Sequence, residues 1–514
     1  ICLGGLLRCR GVFMITYAFL AMFPLEPTTL FVAIVLCLFL IYLLLHNGKG
    51  TPPNFPPGPK PLPFIGNLHI MNLNKPHKTY MELGNKYGSV FSVQLGTEKV
   101  VVLCGYDAVK DALINHAEEF SERAVSTLSR KRLKGYGIIF SHGENWKVMR
   151  RFTLATLRDF GMGKRTTEDT INEECNFLME TFKSYKGEPF ETNLIMNAAV
   201  ANIIVSILLG HRFEYQDPTL LKLIGLVNEI VKLSGRPIIM IYDAFPSVVS
   251  WLPGSHQKVL ENTRGLRNFI KETFTEHKAR LDINDQRDLI DVFLVKQREE
   301  KPNPGLFFHN ENLISLVSNL FVAGMETTST TLRWGLLLMM KYPEIQKKVQ
   351  NEIDKVIGSA QPQMEHRKQM PYTDAVIHEI QRFADIVPTN LPHATTMDVT
   401  FRGYLIPKGT RVIPLLTSVL RDKAYFEKPY EFYPEHFLDS EGNFVKNEAF
   451  IPFSAGKRIC AGETLAKMEL FLFFTNLLQN FTFRSPPGQD LPLTTAEGFT
   501  SIPMVHKICA VSRA

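Results

Sequence analysis

The sequence has few cysteines, and none of them has the spacing of a pair. No CxxC motif occurs among the seven in its 514 residues, which are Cys2, Cys9, Cys37, Cys104, Cys175, Cys460 and Cys509. An odd and sparse set in so long a chain argues against a disulfide framework and favours a reducing compartment. With reduced thiols, one cysteine is available as a ligand or a nucleophile while the others fill the core.

The chain also has little net charge. The chain has 57 Lys and Arg against 51 Asp and Glu, a net charge of +6. This excess is too dilute to indicate a nucleic-acid partner, and we expect none. The composition, 45% hydrophobic and 21% charged, also excludes a disordered or low-complexity chain and provides enough apolar residues for a large core.

Nucleotide-binding motifs are missing as well. No GxGxxG motif follows a predicted strand, and no Walker A motif occurs, since Gly135-Tyr-Gly137 is too short a match. The chain is therefore not expected to bind a nicotinamide cofactor of its own.

One apolar run near the N terminus is long enough to cross a bilayer. Residues 27–47 contain no charge, and residues 30–45 are apolar without a break. As a helix, a segment of this length spans about 30 Å, the thickness of the hydrocarbon core. We predict one N-terminal transmembrane anchor within residues 1–50, in preference to a buried core helix or to a signal peptide, whose apolar region is shorter.

The residues before this run leave two questions open. Residues 11–25 form a weaker apolar stretch, which is a candidate second span. The chain opens with Ile1, so Met14 and Met22 are alternative start residues, and residues 1–27 would then be wholly or partly an extension of the gene model. With a start at Met14, the first basic residues follow the anchor, which would place the C-terminal part in the cytosol.

Prolines crowd residues 51–67, directly after the predicted anchor. Each proline fixes φ and removes a backbone donor, so we predict a semi-rigid, extended hinge that cannot pair into a sheet. A ligand for an SH3-type domain is the alternative interpretation, because the segment has PxxP spacing.

Residues 68–514 carry mostly helical periodicity, without an internal repeat or a second linker of comparable strength. We predict one catalytic domain, mainly α with small β-sheets. Apolar residues recur at helical spacing in residues 107–115, 146–157, 167–185, 220–233, 261–281, 310–341, 343–357, 374–385 and 462–478. Strands are predicted at 90–95 and 99–103, and a hairpin joins 398–406 to 410–415 through a turn at 407–409.

Two connecting segments have more than one interpretation. Residues 235–254 are apolar and aromatic and are bounded by glycines and prolines. This segment either dips into a membrane or is an ordinary buried connection. Residues 298–310 are predicted to be a surface loop and not a domain boundary.

The most informative stretch is a glycine-rich loop with a cysteine directly before a helix. Gly456 permits a tight turn and Gly462 a close backbone approach around Cys460. The N-terminus of the following helix and Arg458 supply positive potential that stabilises a thiolate. This environment is compatible with metal ligation, redox chemistry or nucleophilic catalysis.

In this loop, Phe453-x-x-Gly456-x-Arg458-x-Cys460-x-Gly462 resembles the haem-binding signature of the cytochrome P450 superfamily. Further motifs of that superfamily occur in its order, namely Trp146-x-x-x-Arg150, AGMETT at 323–328 and Glu379-x-x-Arg382. The phrases FPPGP at 55–59 and FIPFSAG at 450–456 resemble most the vertebrate microsomal family two. The resemblance covers almost the whole chain and implies the haem-thiolate monooxygenase fold, with haem b bound through the Cys460 thiolate. Such a ligand favours O–O cleavage.

The resemblance also implies roles for single residues. Thr327 and Glu326 would be the catalytic pair that holds oxygen and relays protons. Glu379 and Arg382 would order the core beneath the haem together with His436, whose charge would depend on pH. The implied haem-binding residues, several of which face the two propionates, are Trp146, Arg150, Arg123, His393, Arg458 and Gly324.

The implied function is an oxidoreductase that inserts one atom of O2 into a lipophilic substrate such as a fatty acid, a steroid or a xenobiotic. Electrons would come from an NADPH-dependent reductase, with cytochrome b5 as an optional donor. The protein would sit in the endoplasmic reticulum membrane with its catalytic domain facing the cytosol. Candidate docking charges for the electron donor are Lys147, Arg151 and Lys457.

The substrate pocket would be lined by mostly apolar segments at 124–138, 220–233, 320–327, 387–391 and 497–501. Two other functions are weighed against this one. A haem-thiolate isomerase or dehydratase would need no external electrons, and a membrane-anchored haem or lipid binding protein would have no turnover. The presence of both Glu326 and Thr327 argues against each of them.

Overall fold

The computed structural model describes residues 27–46, 52–300 and 307–513. Most of this part of the chain is helical, and the prediction of a mainly α fold with small sheets is confirmed. The helices are α1 Pro27–His46, α2 Pro76–Tyr87, α3 Tyr106–Lys110, α4 Thr127–Leu133, α5 Gly143–Asp159, α6 Arg165–Ser184, α7 Asn193–Leu209, α8 Pro218–Ser234, α9 Pro237–Ala244, α10 Pro246–Val249, α11 Ser255–Arg280, α12 Leu289–Glu299, α13 Asn310–Lys341, α14 Pro343–Val356, α15 Pro371–Ala384, α16 Leu416–Leu420 and α17 Glu463–Asn480.

Short strands form three sheets. The largest sheet has the order β1-β2-β8-β5-β3, in which β2 and β8 are parallel and the other neighbours antiparallel. The others have the orders β4-β10-β9 and β6-β7. The strands are β1 Val90–Leu95, β2 Glu98–Leu103, β3 Glu122–Arg123, β4 Phe190–Glu191, β5 His393–Ala394, β6 Val399–Phe401, β7 Tyr404–Ile406, β8 Arg411–Pro414, β9 Phe481–Arg484 and β10 Lys507–Ser512.

The predicted hairpin between 398–406 and 410–415 is wrong. β6 pairs with β7, and β8 instead joins the large sheet parallel to β2. The turn between β6 and β7 lies at Arg402 and Gly403, whose φ angles are +49° and +83°. Positive φ at both central residues is the geometry that suits a two-residue hairpin turn.

α13 is the central helix of the main core. Its 32 residues span about 48 Å. It packs against α7, α11, α15 and α17, and its second half is buried almost all round. α7, which also lies in this core, escaped prediction because it is apolar on every face and has no helical periodicity.

The prediction that the proline-rich hinge cannot pair is wrong for part of that segment. Ser92 in β1 donates its backbone N–H to the Pro57 oxygen at 2.7 Å and its hydroxyl to the Pro56 oxygen at 2.8 Å. Gly66 forms a bridge with Leu95 at the end of the same strand. Proline has no donor, but its carbonyl still accepts, so the segment docks on the sheet through its oxygens.

The predicted anchor coincides with α1, a helix of 20 residues. Large apolar side chains between Leu30 and Ile41 are exposed, among them Phe31 at 68%. None of the described helices combines the length and the apolarity that crossing a membrane needs. The anchor therefore stays a prediction. The second apolar stretch and the alternative start residues lie in residues 1–26, outside the described part of the chain.

Residues 235–254 form α9, α10 and the turn after them, with one buried and one exposed side. The buried side packs on α4 and α11 through Ile239, Tyr242 and Val249. On the other side, Val248 and Trp251 are 65% and 86% exposed. Both interpretations of the segment keep support, because it is a connection whose tip is an apolar patch. In the predicted surface loop at 298–310, residues 301–306 lie outside the described residues.

Candidate active site

The loop before α17 is closed on itself around Cys460. The Cys460 N–H donates to the Phe453 oxygen at 3.0 Å, and residues Gly456–Arg458 form a helical turn. Gly456 has a φ of +71°, and a Cβ there would collide with the Leu113 carbonyl oxygen. Only glycine fits this position, so the loop is held against the segment Asp111–Asn115.

The Cys460 thiol is surrounded by protein yet keeps an accessible surface. Burial raises the pKa of this thiol, whereas the N–H groups of Gly462 and Glu463 and the charge of Arg150 lower it. The influences that lower the pKa come from the start of α17 and from α5, but burial outweighs them and the pKa of the thiol stays above its usual value. A metal cation bound at the sulfur would complete the stabilisation of the thiolate.

Beside this loop, the structure brings five of the predicted haem-binding side chains together. Trp146 and Arg150 lie one turn apart on α5, and Arg150 donates to the Ile459 oxygen at 2.8 Å. Arg123 and His393 are direct partners in the pairing of β3 with β5. The guanidinium of Arg458 stacks on the Trp146 ring at 3.8 Å.

Four of these side chains have a buried nitrogen without a hydrogen-bond partner among the described residues. The atoms are Arg123 Nε, Trp146 Nε1, His393 Nε2 and Arg458 Nη1. Each such atom costs about 1–3 kcal/mol if it stays unpaired, and native proteins rarely tolerate several together. The group therefore fits a ligand that supplies several acceptors at this place.

The electrostatics of the group favour an anion. Burial, followed by the repulsion of Arg458 and Arg150, lowers the pKa of Arg123 to about 9. Burial also lowers the pKa of Arg458 to about 10, and the pKa of His393 lies well below its usual value because of burial and Arg123. Two carboxylates would relieve this repulsion, so these residues fit the propionates of the haem that the resemblance implies.

Thr327 and Glu326 do not act on the same side of α13. Thr327 is half-buried, and its hydroxyl donates to the Ala323 oxygen at 2.7 Å, next to the exposed Ala323 side chain. Glu326 is 4% exposed, and its Oε1 accepts hydrogen bonds from Thr330 and Thr500, each at 3.2 Å. Burial raises the pKa of Glu326. The Thr327 side chain thus lies on the accessible side of α13, whereas the Glu326 side chain lies in the buried interior.

Gly324 lies where α13 crosses α7. A Cβ at this position would come within 2.6 Å of Ile204 Cδ1. The lack of a side chain therefore serves close packing of the two helices, a contact separate from the cluster of cations.

Glu379 and Arg382 form a fully buried ion pair on α15 with two contacts of 2.7 Å. The remaining N–H groups of Arg382 donate to backbone oxygens of Leu420, Pro429 and Glu431 at 2.7–2.9 Å. All five donors of the guanidinium are thereby used. The pair therefore fastens α15 to the segment that runs from residue 420 to 431.

His436 completes this network as a neutral ring. Its Nε2 accepts the backbone N–H of Lys428 at 3.0 Å, so the proton sits on Nδ1, which donates to Glu379 Oε2 at 3.2 Å. The predicted third partner of the ion pair is therefore in place.

The candidate docking cations are at the surface near the cysteine loop and α5. Lys147 pairs with Glu144 at 2.7 Å, and Lys457 pairs with Glu118. Arg151 is exposed. These residues keep their predicted role as candidates.

Three of the five predicted pocket segments meet at the turn 498–501. Phe499 N–H donates to the Val231 oxygen at 3.0 Å, and Ser501 N–H donates to the Ile386 oxygen at 2.9 Å. The Ser501 oxygen accepts from Trp334 Nε1 at 2.7 Å. Together with the Thr500 hydrogen bond to Glu326, these contacts tie the turn to α8, α13 and the end of α15.

Sequence reasoning missed the residues that hold the predicted ones. Glu122 accepts from Arg458 Nη2 at 3.1 Å and from His142 Nδ1 at 2.8 Å. In the sequence, the indication of this role was that Glu122 directly precedes Arg123. Thr500, about 170 residues from Glu326, gave no signal in the sequence.

Comparison with known proteins places these observations in a family. A family model described as cytochrome P450 matches residues 56–510. Cytochrome P450 2B19 of Mus musculus is 48% identical over 92% of this chain and 97% of its own length. Cytochrome P450 2C8 of Homo sapiens is 49% identical over 94% and 99%, and cytochrome P450 2K1 of Oncorhynchus mykiss is 49% identical over 93% and 96%.

Proposed function

Because the chain belongs to the cytochrome P450 family, we propose that it inserts one atom of O2 into a lipophilic substrate, with electrons from an NADPH-dependent reductase, at the endoplasmic reticulum membrane. Members of the family are monooxygenase oxidoreductases that use haem b with a cysteine thiolate as axial ligand. The observation that carries the proposal is the cluster of unpaired buried nitrogens beside Cys460, since it fits the two propionates of a haem held by that sulfur.

When bound, a thiolate-ligated haem supplies the iron that binds and activates O2. The residues of this chain would bind and orient the haem and deliver protons to the reaction. Cys460 is fixed by its loop, and the cation cluster would orient the haem plane by its carboxylates. The Thr327 hydroxyl, now bonded to the Ala323 oxygen, can rotate to donate a proton on the accessible side of α13. Burial raises the pKa of Glu326, the residue directly before Thr327 in the chain, which would take up and pass on a proton.

A lipophilic substrate is supported by the segments that meet around the turn 498–501. They are largely apolar, and the exposed face of Thr327 and Ala323 lies on the helix that they contact. Fatty acids, steroids and xenobiotics all fit this chemistry.

Electrons would enter from a partner that docks on the cysteine-loop side. Lys147, Arg151 and Lys457 are exposed cations on this face. The ion pairs of the two lysines with Glu144 and Glu118 are exposed and weak, so acidic groups of a flavoprotein domain, or of cytochrome b5 as an alternative donor, would compete for them. The lack of a nucleotide-binding motif in the chain supports an external donor.

A membrane location is supported by two apolar surfaces. One is α1 with its exposed side chains from Leu30 to Ile41, and the other is the tip formed by Val248, Trp251 and Leu252. A helix and a patch of this kind would hold the body at the membrane surface, with the catalytic domain in the cytosol. Protease treatment of intact microsomes should remove a C-terminal tag, and protection of the tag would place the domain in the lumen.

The first test is the carbon monoxide difference spectrum of the reduced, full-length protein in membranes. A strongly red-shifted Soret band is expected for the parent and for Cys175→Ala, which removes a buried cysteine of the core. Cys460→Ala should lose that band. The spectrum of a histidine-ligated haem in the parent would overturn the assignment of Cys460.

The second test separates a monooxygenase from an isomerase and from a binding protein. With reductase, NADPH and a panel of lipophilic substrates, the product should carry one atom from labelled O2. Thr327→Ala should keep the spectrum but divert electrons to hydrogen peroxide. Thr273→Ala is the matched control, because Thr273 is also half-buried and donates to the carbonyl four residues earlier, at 3.1 Å. Equal coupling in the two variants would contradict the proton-delivery role of Thr327.

A further inference from the structure

Arg333 is a buried arginine without a partner. It lies on α13, is 4% exposed, and no hydrogen bond or ion pair joins it to another residue that the structure describes; its guanidinium nitrogens are not among the fully enclosed atoms, so the charge borders a small accessible space. Arginine is almost never buried unless it is paired, because a guanidinium that leaves water needs acceptors or a counter-charge. The position of this charge therefore requires an explanation.

The side chain shares a helix face with Glu326. Residues 326, 330 and 333 are spaced by four and three, so they stack along one side of α13. Between Glu326 and Arg333 the rise is about 10 Å, and an arginine side chain on a helix leans toward the N-terminus, which shortens the gap. The two side chains do not form a direct ion pair, and Thr330, which lies between them on this face, donates to the Glu326 carboxyl at 3.2 Å.

Arg333 is the charged residue that changes the pKa of the Glu326 carboxyl. Burial raises the pKa of the Glu326 carboxyl, and Arg333 lowers it. The influence is mutual, since burial lowers the pKa of Arg333 and Glu326 raises it. The polar groups in direct contact with the Glu326 carboxyl are hydroxyls, those of Thr330 on the same helix and of Thr500 in the turn 498–501.

Two further titratable groups lie near this face. His506, just before β10, has its pKa lowered by burial and by Arg333, and Glu191 raises it. Its Nδ1 donates to the Met504 oxygen at 2.8 Å, and its buried Nε2 has no partner among the described residues. Glu469 on α17 is buried against Thr328 and does not act on Glu326.

We propose that Arg333 is a positioning residue for proton delivery: its otherwise unneutralised charge keeps the buried Glu326 carboxyl able to release its proton and take up another in every turnover. This inference rests on the proposed monooxygenase function. An acid that works at each cycle is most effective when its two protonation states are close in free energy. A carboxyl that is only desolvated stays protonated, and one in direct contact with an arginine stays ionised. An arginine on the same face, but without direct contact, gives the intermediate case.

The direct test is an infrared pH titration of the full-length ferric protein in detergent, which needs no turnover. The protonated-carboxyl band that disappears in Glu326→Gln belongs to Glu326. In Arg333→Met its titration midpoint should move to higher pH by about one unit, a tenfold change in proton affinity, whereas Arg333→Lys should keep the parental midpoint. The band that disappears in Glu469→Gln is the internal control and should titrate unchanged in Arg333→Met.

The second readout is the pH profile of coupling between NADPH use and product. The alkaline limb of this profile should shift with the infrared midpoint in Arg333→Met, and also in Arg333→Gln if the methionine variant does not fold. An unmoved midpoint in a folded neutral variant would overturn the inference. A failure of the proposed function can be distinguished from a failure of this inference. If the parent protein forms no oxygenated product but the midpoint still shifts in the variant, the electrostatic effect of Arg333 on Glu326 stands and the monooxygenase assignment is wrong.

Discussion

The buried pair of Glu379 and Arg382 gives the sharpest prediction about stability. Arg382→Ala removes one partner of an ion pair in which both side chains are 0% exposed, a change that destabilises by about 3–5 kcal/mol. It also leaves backbone oxygens of residues 420, 429 and 431 without donors, at about 1–3 kcal/mol each. This loss approaches the roughly 5–15 kcal/mol that holds a typical domain together. We expect no folded haem protein from this variant.

Arg382→Lys separates charge from geometry. Lysine keeps the positive charge but has three N–H groups in place of five, so two acceptors stay unpaired and the loss is about 2–6 kcal/mol. Urea denaturation of the purified full-length protein, followed by the Soret band, should give a clearly lower midpoint. The control is Lys183→Ala, which breaks an ion pair of the same spacing with Glu180 whose side chains are 49% and 77% exposed. That change should stay below about 0.5 kcal/mol. A lysine variant as stable as this control would refute the reasoning.

Three other variants test separate features. Gly456→Ala should prevent haem incorporation, because the added Cβ would collide with the Leu113 carbonyl oxygen. The control is Gly442→Ala, whose φ of +83° is strained for alanine but whose surroundings are open, so its stability should fall by only about 1 kcal/mol. Equal Soret yields from the two variants would contradict this. Burial raises the pKa of Glu469 to about 8, so the folded state holds a proton that the unfolded state releases, and stability falls as the pH rises from about 4.5 to 8. Glu469→Gln should abolish this decline, which is on the order of 5 kcal/mol, and a denaturation series with the parental slope would disprove it. Trp146→Phe keeps a ring under Arg458 but removes the indole N–H, so haem should pass several-fold faster to an apoprotein acceptor; a parental rate would remove this N–H from the haem contacts.

The sequence was sufficient where chemistry depends on short spacing. Trp146 and Arg150 are one helical turn apart, and the glycines around Cys460 are required by local backbone geometry, so both groups could be predicted from the chain alone. The resemblance to the P450 superfamily and its family two, carried by such motifs, is confirmed by relatives that are 46–50% identical.

Features made by long-range contacts could not be predicted in this way. Adjacent residues on a helix point about 100° apart, so Thr327 and Glu326 look like one unit in the sequence but face different surroundings. The partner of Glu326 comes from residue 500, and the hairpin prediction failed because β8 found its partner in β2, about 300 residues earlier. Such choices depend on the packing of the whole core and not on local patterns.

The turn 498–501 joins two properties of an oxidising enzyme that are often treated as independent. Its backbone is bonded to α8 and to the end of α15, and its threonine hydroxyl is bonded to Glu326. Under the proposed function, a substrate that contacts this turn would change the delivery of protons through Glu326 as well as its own fit. Two substrates of equal affinity would then waste different shares of the electrons that they consume. Substitutions selected at these positions for a new substrate would change the fraction of electrons that ends in product, even when the affinity for the substrate stays the same.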